Sequence, residues 1–199
     1  FTATHSAGVA TVAQELAKRM HFSERECRLM LTAGYLHDLG KVAVPNSILD
    51  KPGNLDSEEF DVIRTHTYHT YHILTTIGGF EEIAKWASFH HERLNGQGYP
   101  FHLKGEEIPL GSRIMCVADV FTALTENRPY RKGTNRDETL PILQNMVVSG
   151  SLDESIVGTL LEDYEEIDRV RASVQEVHAI EYTDFMGQKT GAGHSPSRI

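Results

Sequence analysis

The chain has 199 residues, of which 40% are hydrophobic and 24% charged, and its formal net charge is −9 at pH 7. These values are typical of a globular domain, and no apolar run is long enough to span a bilayer. The negative charge argues against binding to a nucleic-acid polymer through its backbone, although metal ions and a few arginines would still accommodate a phosphate ligand.

The N-terminal half of the chain predicts three helices. Apolar residues recur at helical spacing near the N-terminus and again across residues 23–40 and 56–77. The second and third helices each begin with a capping box, in which a polar side chain and a glutamate three positions later bond to each other's backbone N–H groups. The two pairs are Ser23 with Glu26, and Asp56 with Glu59.

The chain after residue 80 predicts four further helices, separated by loops that contain glycine or proline. They cover Glu81–His91, Leu110–Thr125, Arg136–Val148 and Asp153–Tyr164. No segment alternates as a strand does, so we expect one all-α domain over residues 1–186. Residues 187–199 contain Gly, Lys, Ser and Pro, and we expect them to form a disordered tail.

The two cysteines indicate a reducing compartment. Cys27 and Cys116 lie in apolar helical patterns, which predicts buried free thiols rather than a disulfide and favours the cytoplasm. No signal peptide is visible. The chain begins at Phe1 rather than at a methionine, and we expect a sensory or receiver domain to precede it in the full-length protein.

The eleven histidines are a high count for this length, and several lie at positions that are unusual for histidines with a purely structural role. Adjacent imidazoles such as His90-His91 are rare in cores, because each ring brings two nitrogens that need partners. Asp119 lies within an otherwise apolar helix, where a carboxylate is costly unless it is paired or bound to metal. Singly, each residue has a structural explanation, such as a surface ion pair for His37-Asp38 or a frayed terminal histidine for His5. Together the candidates form a mixed imidazole and carboxylate set that suits Fe, Mn, Ni or Zn: His5, His37, Asp38, His66, His90, His91 and Asp119.

Motifs spread over most of the chain, from His5 to about Asp163, resemble the HD-GYP family of the HD phosphohydrolase superfamily. They include His37-Asp38-Leu39-Gly40-Lys41, His90-His91-Glu92, Gly98-Tyr99-Pro100 and Arg128-Pro129-Tyr130-Arg131. The resemblance implies an all-α fold with a five-helix HD core and additional C-terminal helices. It also implies metal-dependent hydrolysis of cyclic di-GMP to pGpG or GMP, or of cyclic GMP-AMP by similar enzymes.

The resemblance assigns a role to each candidate residue. It implies two divalent transition-metal ions, Fe, Mn or Ni with Zn as a further candidate, and a metal-activated hydroxide that attacks phosphorus. The first ion would be held by His5, His37, Asp38 and Asp119, and the second by His66, His90 and His91, with Asp38 bridging and Asp38 and Lys41 as catalytic residues. The expected substrate contacts are Lys41, Tyr99, Arg128 and Arg131. The alternative, purely structural explanations of these residues are an exposed lysine, a tyrosine that anchors the loop and two solvated arginines.

Four positions depart from the family pattern. Phe1 stands where some members carry a glutamate that is associated with a third metal, so we predict two metals. Asn95 replaces an aspartate before the Gly-x-Gly-Tyr-Pro turn, and we expect it to change the loop or the substrate preference rather than metal binding. Gly8 and Thr122 replace an arginine and an aspartate, but neither is a predicted metal ligand.

Two other functions remain open at this point. One is an HD phosphohydrolase for a mononucleotide, which the Tyr99 turn and the Arg128 and Arg131 pair disfavour because they extend the site. The other is a catalytically weak cyclic dinucleotide receptor or interaction module. A diguanylate-cyclase-type partner and a homodimer are further expectations, and membrane insertion is not expected.

Overall fold

The computed structural model describes residues 2–128 and 131–191, and it confirms the prediction of an all-α fold. The helices are α1 (Thr2–Arg19), α2 (Glu24–Leu36), α3 (Asn46–Leu49), α4 (Ser57–Thr75), α5 (Glu81–Ser88), α6 (Leu110–Thr125), α7 (Arg136–Val148), α8 (Glu154–Glu162) and α9 (Tyr164–Gly191). Short 3₁₀ turns cover Leu39–Ala43 and Gly105–Glu107. Within the described ranges, β-type pairing is limited to one isolated bridge between Arg128 and Arg131.

The helices begin where the sequence places their caps. Both predicted capping boxes, at Ser23 and at Asp56, are formed, and a third is formed by Asn135 before α7. The prediction that a helix extends to His91 is wrong. The chain leaves α5 at Ser88 and turns at Phe89, whose carbonyl accepts the backbone N–H of Glu92 at 2.9 Å.

The core surrounds α1, which packs against α2, α6 and α9. Its fully buried side chains include Leu16, Met30, Ile114, Phe121 and Leu160. Both cysteines are buried and free, as expected. In the described part of the chain, no helix combines the length and apolarity that crossing a membrane requires.

The long C-terminal helix α9 is the element for which the sequence gives the weakest signal. It runs for 28 residues and packs along α1, although many of its residues are polar. Ile167 and Arg171 are buried in this contact, with exposed fractions of 1% and 5%. The helix continues through the first five residues of the expected tail, to Gly191. The rest of that segment, 192–199, and Phe1 lie outside the described residues.

Candidate metal centre

Three of the predicted histidines are oriented by the same local contact. His37 Nδ1 lies 2.7 Å from the carbonyl oxygen of Gly34, and the equivalent contacts are 2.7 Å for His66 and 2.6 Å for His90, each to the residue three positions earlier. Because a carbonyl only accepts, each Nδ1 carries a proton, which leaves Nε2 as the nitrogen available to a metal. Among the described residues, the Nε2 atoms of His66 and His90 are buried without a hydrogen-bond partner. Buried, unpartnered ring nitrogens of this kind fit metal ligation.

The turn after α2 brings His37 and Asp38 onto α4. Gly40 is required for this approach, since a Cβ there would lie 1.9 Å from the carbonyl oxygen of His66. The Gly40 N–H donates to the Thr70 hydroxyl at 2.9 Å, and that hydroxyl lies 3.2 Å from the carbonyl oxygen of His37. The His-Asp-x-Gly pattern is therefore a packing requirement of the site as well as a set of ligands.

Asp38 lies between the two groups of histidines. Its Oδ2 is 3.4 Å from His37 Nε2, and its Oδ1 is 3.4 Å from His66 Nε2. The Lys41 ammonium donates to Oδ2 at 2.6 Å. Each carboxylate oxygen thus faces a different histidine, which is the arrangement needed for a bridging ligand.

His5 and Asp119 close the other side of the site. His5 Nε2 is 3.1 Å from Asp119 Oδ1, and His37 Nε2 is 4.0 Å from the same oxygen. The second oxygen of Asp119 lies 4.0 Å from His91 Nδ1. Asp119 extends from α6, so the site is built from α1, α4, α6 and the turns after α2 and α5.

All seven predicted ligands fall into three overlapping groups. In each group the candidate ligand atoms lie within 4.8 Å of one another: His66 with His90 and His91, His5 with His37 and Asp119, and His37 with Asp38 and His90. The set is rich in imidazole with two carboxylates, which fits a divalent transition metal better than Mg²⁺ or Ca²⁺. That these residues bind metal stays a prediction.

The pKa values of four predicted ligands suit ligation. Burial lowers the pKa of His90 well below its ordinary value, and it lowers the pKa of His91 to about 4. Burial opposes ionisation of Asp38 and Asp119, but nearby histidines outweigh it and hold both carboxyl pKa values well below their usual range. Neutral imidazoles and charged carboxylates are the forms that bind metals. At His5 and His37 burial lowers the pKa, but neighbouring carboxylates outweigh this effect and raise the pKa, so a metal must displace a proton from these two rings.

A cavity of about 500 Å³ opens over the site. Its floor includes His90, His91 and Asp119, and four arginines line it: Arg64, Arg93, Arg128 and Arg131. Tyr99 also lines the cavity, with its ring 4.8 Å from that of His91. The cavity has the volume of a small-molecule pocket and concentrates positive charge in a chain whose net charge is −9.

The Gly-Tyr-Pro turn is held in place by two anchors. Buried Glu92 accepts the backbone N–H groups of Phe101 at 2.6 Å and Leu103 at 3.1 Å. Asn95 donates its side-chain amide to the carbonyl oxygen of Ser149 at 2.9 Å. An aspartate has no such donor, so this contact gives a structural reason for the Asn95 departure. Asn95 is not among the residues that line the cavity, which favours a role in the loop.

Of the predicted substrate-binding residues, Tyr99, Arg128 and Arg131 line the cavity and Lys41 does not. The three cationic side chains already have protein partners. Arg128 contacts Glu126 Oε1 through Nε at 3.0 Å and through Nη2 at 2.8 Å. Arg131 donates to the carbonyl oxygen of Ala123, and Lys41 donates to Asp38. A phosphate would therefore compete with, or add to, existing contacts. Substrate binding by these residues stays a prediction.

Sequence reasoning missed three residues of the site. Arg93 lies inside the histidine and glycine-rich segment, and its position two residues after His91 was the available signal. Arg64 lies two residues before His66, and its guanidinium carbon is 4.6 Å from the Phe60 ring centroid and 5.5 Å from that of Tyr99. Glu126 directly follows α6 and gives no periodic or motif signal.

A family model described as the HD domain matches residues 1–156. Two relatives illustrate the similarity. The chain is 37% identical over 166 residues to the 3'3'-cGAMP-specific phosphodiesterase 1 of Vibrio cholerae, covering 83% of this chain and 38% of the relative. It is 43% identical over 134 residues to the cyclic di-GMP phosphodiesterase response regulator RpfG of Xanthomonas campestris pv. campestris, covering 66% and 35%. The chain thus spans well under half the length of these curated relatives.

The fold also matches a solved structure, Bd1817, described as a HDG"Y"P protein from Bdellovibrio bacteriovorus. The TM-score is 0.65 at 17% sequence identity, with coverage of 83% of this chain and 53% of the other. At this identity the match bears on the fold alone. It agrees with the all-α HD-domain fold that the family resemblance implies.

Proposed function

The chain belongs to the HD domain family, and on that premise we propose that it is a metal-dependent phosphodiesterase that hydrolyses a cyclic dinucleotide. The observation that carries the proposal is the convergence of seven candidate ligands, three of which (His90, His91 and Asp119) line a cavity that four arginines also line. Metal ligands and cationic side chains on one cavity favour a phosphate ester as substrate.

The ligand geometry supports two divalent ions. One would be held by His5, His37 and Asp119 and the other by His66, His90 and His91, with Asp38 between them. Fe, Mn or Ni fits this ligand set best, and Zn remains a further candidate. When bound, such ions lower the pKa of water and stabilise the negative charge that develops at phosphorus.

The chain's own groups have separate tasks in hydrolysis. Asp38 and Lys41, joined at 2.6 Å, would orient the scissile phosphate and the attacking water. The oxygen of water attacks phosphorus, the P–O bond to the ribose oxygen breaks, and that oxygen leaves with a proton. The arginines would balance the substrate charge, since a planar guanidinium matches two phosphate oxygens.

The cavity favours a substrate larger than a mononucleotide. Its four arginines come from three segments, which are α4, the turn after α5 and the segment after α6, so a second phosphate or a base edge would also have a cationic partner. Tyr99 would pack on or hydrogen-bond the ligand. Relatives named for cyclic di-GMP and for 3'3'-cGAMP match at 43% and 37% identity, so both ligands belong to the proposal.

The experiment is hydrolysis of both cyclic dinucleotides by chain reconstituted with Mn²⁺ or Fe²⁺, with products separated by chromatography over time. We expect a linear dinucleotide or mononucleotides from at least one substrate. Asp38→Ala should abolish turnover and reduce bound metal. Asp137→Ala is the matched control, because Asp137 is an exposed carboxylate in the first turn of α7.

Three outcomes would distinguish the alternatives. Tight nucleotide binding without hydrolysis in loaded protein would favour a receptor. If a mononucleotide is hydrolysed as substrate and neither cyclic dinucleotide is, the result would favour an HD phosphohydrolase for a mononucleotide. Full turnover by Asp38→Ala would refute the metal-dependent mechanism. The proposal also includes a cytoplasmic location, a homodimer and a diguanylate-cyclase-type partner. The location needs a localisation experiment, and the dimer and the partner need binding experiments.

A further inference from the structure

Glu126 is a buried carboxylate at the end of α6, with an exposed fraction of 3%. Its two oxygens lie 3.1 and 3.0 Å from His5 Nδ1, and Oε2 also accepts from Gln175 Nε2 at 3.1 Å. The same carboxylate contacts the Arg128 guanidinium at 2.8 Å. One side chain therefore touches a predicted metal ligand, a predicted phosphate-binding arginine and the C-terminal helix.

We infer that Glu126 is a positioning residue of the metal centre, which acts through His5 and is itself held by Gln175 of α9. The inference deepens the proposed function, because it concerns the same metal site. Since a carboxylate only accepts, the contact with Glu126 keeps a proton on Nδ1 of His5. Nε2 faces Asp119 Oδ1, 3.1 Å away, and is the nitrogen that a metal would take in exchange for a proton.

His5 differs from the other buried histidines in its anchor. His37, His66 and His90 each use a backbone carbonyl three residues earlier. His5 instead uses a side chain 121 positions away. A carboxylate is a stronger, charged acceptor than a carbonyl and makes the imidazole a better ligand. The contact also ties α1 to the end of α6, so the ligand geometry depends on how these helices pack.

The C-terminal helix takes part through Gln175. Its Nε2 also donates to the Thr4 carbonyl oxygen at 3.1 Å, next to His5. Arg171 donates to Gln175 Oε1 and fixes the amide, and Arg171 is anchored in turn by Asp168 at 2.6 Å. Helix α9 begins at Tyr164, beyond the residues 1–156 that match the family model. An element outside the matched region thus supports a ligand inside it.

Gly8 makes room for this contact. A Cβ at residue 8 would lie 2.6 Å from Gln175 Nε2 and 2.9 Å from the Thr122 methyl group. A larger side chain at position 8 would therefore displace Gln175 from Glu126. The glycine and the glutamine form a matched pair on α1 and α9, and this gives the Gly8 departure a physical reason.

The experiment is a titration of the metal-stripped full chain with Co²⁺, read by its visible absorption and by competition with a chelator. The comparison is between wild type, Glu126→Ala, Glu126→Gln and Gln175→Ala. A His66→Gln background removes the second site and so identifies the signal of the His5 site. The measurement needs no substrate, so absence of phosphodiesterase activity would leave it intact.

We expect Glu126→Ala to weaken the His5 site by about 10- to 100-fold while the His66 site changes little. Glu126→Gln keeps an acceptor for Nδ1–H and should lose less. Gln175→Ala leaves His5 its carboxylate and should show the smallest loss. If Glu126→Ala does not fold, the Co²⁺ affinities of Glu126→Gln and Gln175→Ala are compared with wild type instead.

The control for general destabilisation is Asp153→Ala. Asp153 caps α8 and pairs with Arg113 at 3.3 Å, so its loss should lower the melting temperature and leave both Co²⁺ affinities unchanged. Folded Glu126 variants with wild-type affinity would overturn the inference, and so would an equal loss at both sites or the same selective loss in Asp153→Ala. Wild-type chain that binds no Co²⁺ would instead overturn the proposed metal centre itself.

Discussion

Thr70 offers a sharp test of how the His37-Asp38 turn is held. Its hydroxyl is fully buried, accepts the Gly40 N–H at 2.9 Å and lies 3.2 Å from the His37 carbonyl oxygen. Thr70→Val keeps the shape of the side chain but removes both contacts. The Gly40 N–H is then buried without that acceptor, directly beside two predicted ligands.

The expected cost follows from these contacts. A buried backbone donor left without its partner costs about 1–3 kcal/mol of unfolding free energy. In a chain of this size, that corresponds to a melting temperature lower by about 2–4 °C per kcal/mol. Because the turn carries His37 and Asp38, metal affinity should fall as well. Denaturant unfolding in the presence of chelator measures the first effect, and metal competition measures the second.

Thr70→Ser is the matched control. It keeps the hydroxyl and loses one buried methyl group, which is worth about 0.8 kcal/mol. We expect the serine variant to retain metal affinity. Equal stability and equal metal affinity in the valine and serine variants would refute the role of the hydroxyl.

Three further predictions concern the loop, the cavity and pH. Asn95→Asp removes the donor to Ser149 and should lower the unfolding free energy by about 1 kcal/mol with metal content unchanged; undiminished stability in denaturant would contradict this. Arg93→Ala should raise KM for a cyclic dinucleotide more than it lowers kcat, and an unchanged KM would remove Arg93 from the substrate site. In metal-free protein, burial opposes protonation of His5, but the hydrogen bonds that its ring donates to Asp119 and Glu126 outweigh it and raise the pKa from 6.5 to about 9. The stability that wild type gains over His5→Gln should therefore be complete below pH 6.5 and decline as pH rises through about 9; thermal unfolding with chelator checks this, and a gain that grows with pH would contradict it.

The sequence predicts well where local chemistry decides the structure. The starts of α2 and α4 follow from Ser23 and Asp56, whose capping bonds form within three residues. The start and end of α6 also match, because its apolar pattern begins after Pro109 and stops at Thr125. The all-α class follows from the sum of such local signals.

The sequence does not predict features that depend on contacts between residues far apart in the chain. The chain leaves α5 before His90, since the turn is closed by Glu92 and held by the later residues Phe101 and Leu103. The role of Glu126 depends on His5, which is far away in sequence and carries no motif signal for it. Asn95 was expected to change loop or substrate preference, and its partner Ser149 is visible only once α7 packs beside the loop.

The arginines of the cavity likewise include some that the sequence predicts and some that only the structure reveals. Family resemblance indicates Arg128 and Arg131, and both line the cavity. It does not indicate that Glu126 holds Arg128, nor that Arg93 and Arg64 face the same space from two other segments. Charge balance of this kind depends on tertiary packing, which brings together residues from α4, the turn after α5 and the segment after α6.

The proposal on which the others depend is that seven side chains from five segments hold two divalent ions beside one cavity. Anomalous diffraction from crystals of Mn²⁺- or Fe²⁺-loaded protein tests it most directly. We predict two peaks about 3.5–4 Å apart, one beside His5, His37 and Asp119 and one beside His66, His90 and His91, with Asp38 between them. A loaded crystal with no peak among these residues, or with its metal bound elsewhere, would contradict it.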